Sequence, residues 1–271
     1  MTSTSTAVTA EEIQTVIDDL RAGSPLVHCI TNTVVTNFTA NVLLAAGAAP
    51  AMVDAPEEAG ILAGVAGALL INLGTVTGAQ ADGIRAAITG ANDAGVPWVL
   101  DPVAIGALPM RTQLAREIAA LHPAVIRGNA SEVGALAGGV GGRGVDSTAT
   151  PDEVAEVAGA VARRFGTVVA MSGPIDLITD GVDTVRVASG SPMLTRVTGV
   201  GCALGALIGA CSAVTADRLL AAATATAWVC VAGEEAANGT SGVGSFSVAF
   251  LDAVDVLAAA NIGVRGAVTR G

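Results

Sequence analysis

Short apolar runs alternate with helix-length segments along nearly the whole chain, and that alternation constrains the fold more than any other feature. Residues 26–30 (LVHCI), 49–53 (APAMV), 68–73 (ALLINL), 96–103 (VPWVLDPV), 124–127 (AVIR) and 168–171 (VVAM) read as strands. The run at 68–73 is apolar almost without interruption, which is how a strand covered on both faces reads in a parallel sheet. The spacing predicts helices over 37–46, from Pro56, over 80–94, over 111–121, from residue 130, and over 152–165. Three helix starts carry their own punctuation. Thr9 and Glu12 have capping-box spacing, as do Asn129 and Glu132, and Pro56 stands in a first turn. Residues 176–179 and 184–188 are joined through Asp180-Gly181-Val182-Asp183 and read as a hairpin. Beyond Gly199 the chain reads as wholly helical. Residues 138–144 (GGVGGRG) form the one low-complexity stretch, a flexible loop, and no linker or internal repeat interrupts the order. The expectation is one α/β domain over residues 1–271, with a mostly parallel central sheet and helices on both faces.

Composition then removes whole mechanisms. All 13 cationic residues are arginine, and the chain holds no lysine and no tyrosine. A P-loop, a pyridoxal Schiff base and a protein-kinase strand lysine each need a lysine. The two histidines, His28 and His122, are too far apart for an HExxH pair, which argues against a histidine-built zinc site. A formal net charge of −11 argues against general affinity for nucleic acid or anionic membrane surfaces. Any phosphate must be recruited locally, by backbone N–H groups, helix N-termini and single arginines. The uncharged stretch 197–216 is long enough to span a membrane, but its glycine-dense start reads better as a loop entering a buried helix. The N-terminus lacks a basic region followed by an apolar one, and the four cysteines are scattered without a CxxC. Both point to a cytoplasmic protein with reduced thiols.

Ligands of open α/β sheets bind beyond the carboxyl ends of the strands. Polar residues gather there: Asn32, Thr33, Thr36 and Asn37, then Met52 and Asp54, then Asn72 and Thr75, then Asp101, Arg127, Asn129 and Ser172. Any one of them could be an ordinary strand-end cap; jointly they suggest a rim of ligand contacts. The sharpest local signal is Thr198-Gly199-Val200-Gly201-Cys202 opening a helix. Glycines there let N–H groups converge on an anion, although a glycine corner can also serve packing alone. Cys202 sits in the first turn, where a helix N-terminus should lower a thiol pKa. Cys211 and Cys230 read as small buried hydrophobes. Asp101 and Glu132 are carboxylates placed where Mg²⁺ beside phosphates could be held, although Glu132 also fits a capping role.

Several segments together carry a family resemblance. They are residues 27–58 (VHCITNTVVTNFTANVLLAAGAAPAMVDAPEE), VLDPVAIGA, IRGNASE, MSGPIDLITDG and VTGVGC. In this order, over roughly residues 26–246, they closely resemble the hydroxyethylthiazole kinases, a ribokinase-like family of thiamine salvage. The resemblance implies phosphorylation of the hydroxyl of 5-(2-hydroxyethyl)-4-methylthiazole by ATP, with Mg²⁺, in a homotrimer whose thiazole pocket lies between subunits. It implies thiazole contacts at Met52 and Gly199, and ATP phosphate contacts at Arg127 and Ser172. It further implies Mg²⁺ organisation by Asp101 and Glu132, and Cys202 in the place where most ribokinase-like enzymes carry an aspartate base. Two positions depart from the pattern. Ser172 replaces an expected threonine and keeps the hydroxyl, and Val200 fills a position that is usually smaller. Three rivals remain to be told apart: a hydroxymethylpyrimidine kinase, a non-catalytic binding protein on the same fold, and a dinucleotide oxidoreductase. The last needs a GxGxxG after the first strand, where ITNTVVTN stands.

Overall fold

The computed structural model describes residues 8–138, 151–266 and 268–270. Six strands, β1 (Leu26–Ile30), β2 (Ala49–Ala51), β3 (Ala68–Asn72), β4 (Trp98–Asp101), β5 (Val125–Asn129) and β6 (Val168–Ser172), run parallel. Three more, β7 (Asp176–Thr179), β8 (Thr184–Val187) and β9 (Val268–Arg270), extend the sheet antiparallel. The sheet order is β2-β1-β3-β4-β5-β6-β7-β8-β9. After β1 the chain steps outward to β2 and then returns to β3 on the other side. The crevice between the carboxyl ends of β1 and β3 is therefore the point where the winding reverses.

The apolar strands alternate sides. Val27, Cys29, Leu70, Val99, Val125, Val168 and Ala170 face one cluster, formed with helices α1 (Ala10–Gly23), α2 (Thr36–Ala46), α8 (Val200–Val214), α9 (Arg218–Asn238), α10 (Val243–Val256) and α11 (Ala259–Arg265). Ile30, Leu69, Ile71, Trp98, Leu100, Ile126, Val169 and Met171 face the other. It is closed by α3 (Pro56–Ala63), α4 (Gly78–Ala94), α5 (Pro109–Ala119), α6 (Ala130–Ala137) and α7 (Pro151–Phe165). With both faces covered, alternation shows as two cores instead of a wet and a dry side.

Both capping boxes are present. Thr9 and Asn129 each accept from the backbone of the glutamate three residues on, and each glutamate reaches back to the cap. The stretch 197–216 becomes α8, a core helix with most of its residues buried in the protein. Gly205 and Gly209 bring α8 close to the sheet: a Cβ at Gly205 would stand 3.1 Å from Leu70 Cδ1, and one at Gly209 3.6 Å from Ala68 Cβ. No single helix among the described residues is long and apolar enough to cross a membrane. The pair α10 and α11 meets the length and composition only across a 111° bend.

Three expectations need correcting. The chain after Gly199 is not wholly helical, because β9 pairs with β8 and covers what would otherwise be an open sheet edge. At three residues it is too short to show a period. The strand at 49–53 ends at Ala51, which leaves Met52 and Val53 in loop, and the one at 96–103 contracts to Trp98–Asp101. A 3₁₀ turn at Pro192–Arg196 leads into α8 and carried no sequence signal. Most of the glycine-rich stretch, 139–144, lies outside the described residues.

Candidate active site

The β1/β3 crevice is closed by a chain of side-chain hydrogen bonds between strand ends. Gly74 N–H donates to Asn72 Oδ1 at 3.0 Å, which fixes the orientation of that buried amide. Asn32 Nδ2 donates to the same oxygen at 3.1 Å and to Cys202 Sγ at 3.3 Å. Asn72 Nδ2 donates to Asp101 Oδ2 at 2.7 Å. The thiol on α8 is thus linked through two asparagines to the carboxylate at the end of β4.

Asp101 is fully buried, and its second oxygen, Oδ1, has no hydrogen-bond partner. Arg127 Nη1 lies 3.9 Å from it. Burial pushes the Asp101 carboxyl up to about 7; the charge of Glu132 adds to this, and Arg127 and the Asn72 bond oppose it. A carboxylate so placed gains by meeting a cation.

Arg127 crosses the first turn of α8. Its Nη2 donates to Ser172 Oγ at 2.9 Å, and its buried Nε has no partner. A Cβ at Gly201 would stand 2.8 Å from Arg127 Nη1, so the second glycine of TGVGC is what lets the guanidinium lie there. Gly199 caps α8 with φ 97°, and a Cβ there would meet Val35 Cβ at 2.9 Å, so only glycine fits this corner. No side chain caps α8, which leaves its first-turn N–H groups to an incoming anion.

Glu132 is buried with both oxygens engaged. Oε1 accepts from Ala104 N–H and Oε2 from Asn129 N–H, each at 2.9 Å. It ties the turn after Asp101, where Ala104 takes φ 58°, to the start of α6. Each oxygen keeps a lone pair, so an indirect contact through water remains open. No group of three or more His, Cys, Asp and Glu among the described residues could hold an ion alone. Asp101 Oδ1 and Glu132 therefore suit a hydrated Mg²⁺ that takes its other ligands from phosphate and water, not an all-protein cage.

The structure brings Cys202, Asp101, Arg127 and Ser172 to one crevice, with Glu132 electrostatically coupled to Asp101 and Gly199 at its corner. Met52 stands apart, past the end of the edge strand β2, half-buried and packed, as Phe38 is, against the cluster that contains α2 and α8. The expectation for the Cys202 pKa is reversed. Burial, then the charge of Asp101, push the thiol up, and they outweigh the Asn72, Asn32 and Arg127 contributions that act downward. Helix position alone misses a carboxylate that only the fold brings near. The sequence points to Gly201 for turning backbone amides but not for making room for Arg127, and it gives Asp176 no role at the site. Asp176 Oδ1 accepts from Gly173 N–H at 2.8 Å and so holds the turn that presents Ser172.

A reversal-point crevice beneath the N-terminus of a central helix, with an arginine and a buried carboxylate, defines a ribokinase-like small-molecule kinase. The same fold occurs in the pyridoxal kinase from Staphylococcus aureus in complex with ADP. That match has a TM-score of 0.61 at 15% identity and covers 78% of this chain and 87% of that one. A nearer match is the hydroxyethylthiazole kinase protein from Pyrococcus horikoshii OT3, with a TM-score of 0.90, 37% identity, and 96% and 99% of the two chains covered. A hydroxyethylthiazole kinase of Clavibacter sepedonicus is 55% identical over 239 residues, covering 88% of this chain and 87% of that protein. The model of the hydroxyethylthiazole kinase family matches residues 17–260, and the chain belongs to this family.

Proposed function

We propose that the chain, acting as one kinase domain over residues 1–271, transfers the γ-phosphoryl group of ATP to the hydroxyl of 5-(2-hydroxyethyl)-4-methylthiazole. The products are the thiazole phosphate and ADP, and the reaction belongs to thiamine diphosphate biosynthesis and salvage in the cytoplasm. The observation that carries this reading is the Cys202–Asn32–Asn72–Asp101 chain running beneath Arg127 and the uncapped α8 N-terminus. It supplies a hydroxyl-orienting sulfur, a cation-seeking carboxylate and an anion cradle within one crevice, without a lysine.

Each residue has a role in this scheme. Arg127 and Ser172 bind ATP phosphates, and the α8 amides receive the transferring group. Asp101 and Glu132 would help hold Mg²⁺, which when bound would neutralise charge on the phosphates. Met52 and Gly199 contact the thiazole. Because its pKa is raised, Cys202 is a neutral thiol at rest. Sγ accepts the substrate O–H hydrogen bond and aims the oxygen at phosphorus while the bond to the ADP oxygen breaks. In a loose transition state the alcohol proton leaves late, passing to an oxygen of the transferred phosphoryl group and from there to water, so a strong base is not required.

A homotrimer with the thiazole pocket between subunits accounts for two features: the place of Met52 past the end of the edge strand, away from the crevice, and the exposed Val34, Leu44, Ile61 and Val65 in the segments before and after β2. ADP release measured with the thiazole alcohol, with hydroxymethylpyrimidine and with neither tests the reading. Release that needs the thiazole alcohol is expected. A preference for the pyrimidine alcohol, or no turnover with either, would contradict it.

A further inference from the structure

His28 lies in the middle of β1, with no exposed surface, one residue from Cys29 and four from Asn32. Nothing in the reaction scheme uses it. Its Nε2 stands 2.6 Å from Val53 O. A carbonyl can only accept, so that nitrogen carries the proton. The other nitrogen, Nδ1, is buried without a partner. Burial pushes the imidazole pKa below its ordinary value of 6.5, the Val53 bond opposing, so the ring is neutral and its single N–H is committed to Val53.

Apart from the packing of Met52 on the apolar cluster, the segment that this bond holds is fixed only at its two ends. Strand β2 pairs with β1 only through Ala51, opposite His28, and Met52, Val53 and Asp54 continue past the ladder. Asp54 is fixed from the far side, where Gln80 Nε2 donates to its Oδ2 at 3.2 Å. The Asp54 carbonyl also lies so close on Gly83 of α4 that a Cβ there would stand 3.0 Å from its carbon. Between the end of the ladder and that anchor, the His28 bond is the one side-chain hydrogen bond to the backbone after Met52 among the described residues.

We propose that His28 is a positioning residue for thiazole recognition, its N–H on Val53 O fixing the direction in which Met52 meets the substrate ring. The inference rests on the assignment of Met52 to the thiazole pocket. It distinguishes the two substrates, because Arg127 and Ser172 are placed by β5, β6 and α8, and none of them depends on Val53.

The test is steady-state kinetics with both substrates varied, on His28→Gln, His28→Asn, His28→Leu and Met52→Ala. Glutamine places an N–H as many bonds from Cβ as the histidine Nε2–H, whereas asparagine falls one bond short and leucine has none. The expected result is a KM for the thiazole alcohol raised roughly tenfold in the Asn and Leu variants and restored in Gln. The KM for ATP should stay within about twofold of wild type in all three. A rise in both KM values alike, or no rescue by glutamine, would make His28 mere support for the fold and overturn the proposal. If His28→Leu does not fold, the contrast between Gln and Asn decides alone. An unchanged thiazole KM in Met52→Ala overturns the Met52 assignment and the proposal with it. A raised KM in Met52→Ala beside an unchanged KM in His28→Asn overturns the His28 inference only.

Discussion

Replacing Asp101 with asparagine should make the metal-free protein more stable at alkaline pH while removing its activity. The Asp101 carboxyl is raised from its ordinary 3.8 to about 7, first by burial. At about 1.4 kcal/mol per pH unit, its ionisation costs the folded state about 4 kcal/mol once the pH is above 7. The folded pKa exceeds the unfolded one, so between 3.8 and 7 the folded chain binds the extra proton and stability falls as pH rises through that window. Below 3.8 the site costs nothing. Asparagine has no proton to lose, and its amide oxygen can still accept from Asn72 Nδ2. Denaturant unfolding of both proteins at pH 5 and pH 8, in EDTA and at one fixed protein concentration, isolates the site. The gain of the variant over wild type should grow by about 3 kcal/mol between the two pH values. A gain that is independent of pH, or a variant that loses ground at pH 8, refutes the reasoning.

Arg127→Ala should leave the fold intact and slow turnover at limiting ATP at least about tenfold, as expected from losing a charge-assisted phosphate contact of roughly 1.5–3 kcal/mol. A variant that matches wild type would make the arginine structural. Cys202→Ala should lose up to about 10²-fold in kcat through misplacement of the alcohol oxygen, while ATP binding measured by calorimetry persists, and Cys202→Asp should retain activity. Full activity in the alanine variant would reduce the thiol to packing, and a phospho-cysteine trapped during turnover would contradict direct transfer. Sedimentation of the wild-type protein should show a trimer; a fully active monomer is the opposing result.

Much of this was readable from the chain, for identifiable reasons. Strands β1 and β3 announce themselves because both faces of each are buried, which forces continuous apolar runs. The Asn129 cap of α6 is visible because capping is local in sequence. Asp101 and Ser172 stand out as polar residues ending apolar strands and Arg127 as the charge that interrupts one, and the fold places the three together. What stayed hidden depends on distance in space. Asn72 looks like any strand-end asparagine until Gly74, Asn32 and Asp101 surround it. The need for Gly201 arises from a guanidinium 74 positions earlier in the chain, and the thiol pKa from a carboxylate on another strand. Strand β9 is chosen by the edge it covers, a reason its three residues do not encode alone.

The central claim is that this crevice moves a phosphoryl group from ATP to one particular alcohol oxygen. Its most direct test is product analysis with the thiazole alcohol labelled with ¹⁸O at the hydroxyl, reading the isotope in the thiazole phosphate by mass spectrometry. Direct transfer predicts one thiazole phosphate per ADP, with the label retained in the bridging C–O–P oxygen. ADP formed with free phosphate and unchanged alcohol would contradict it.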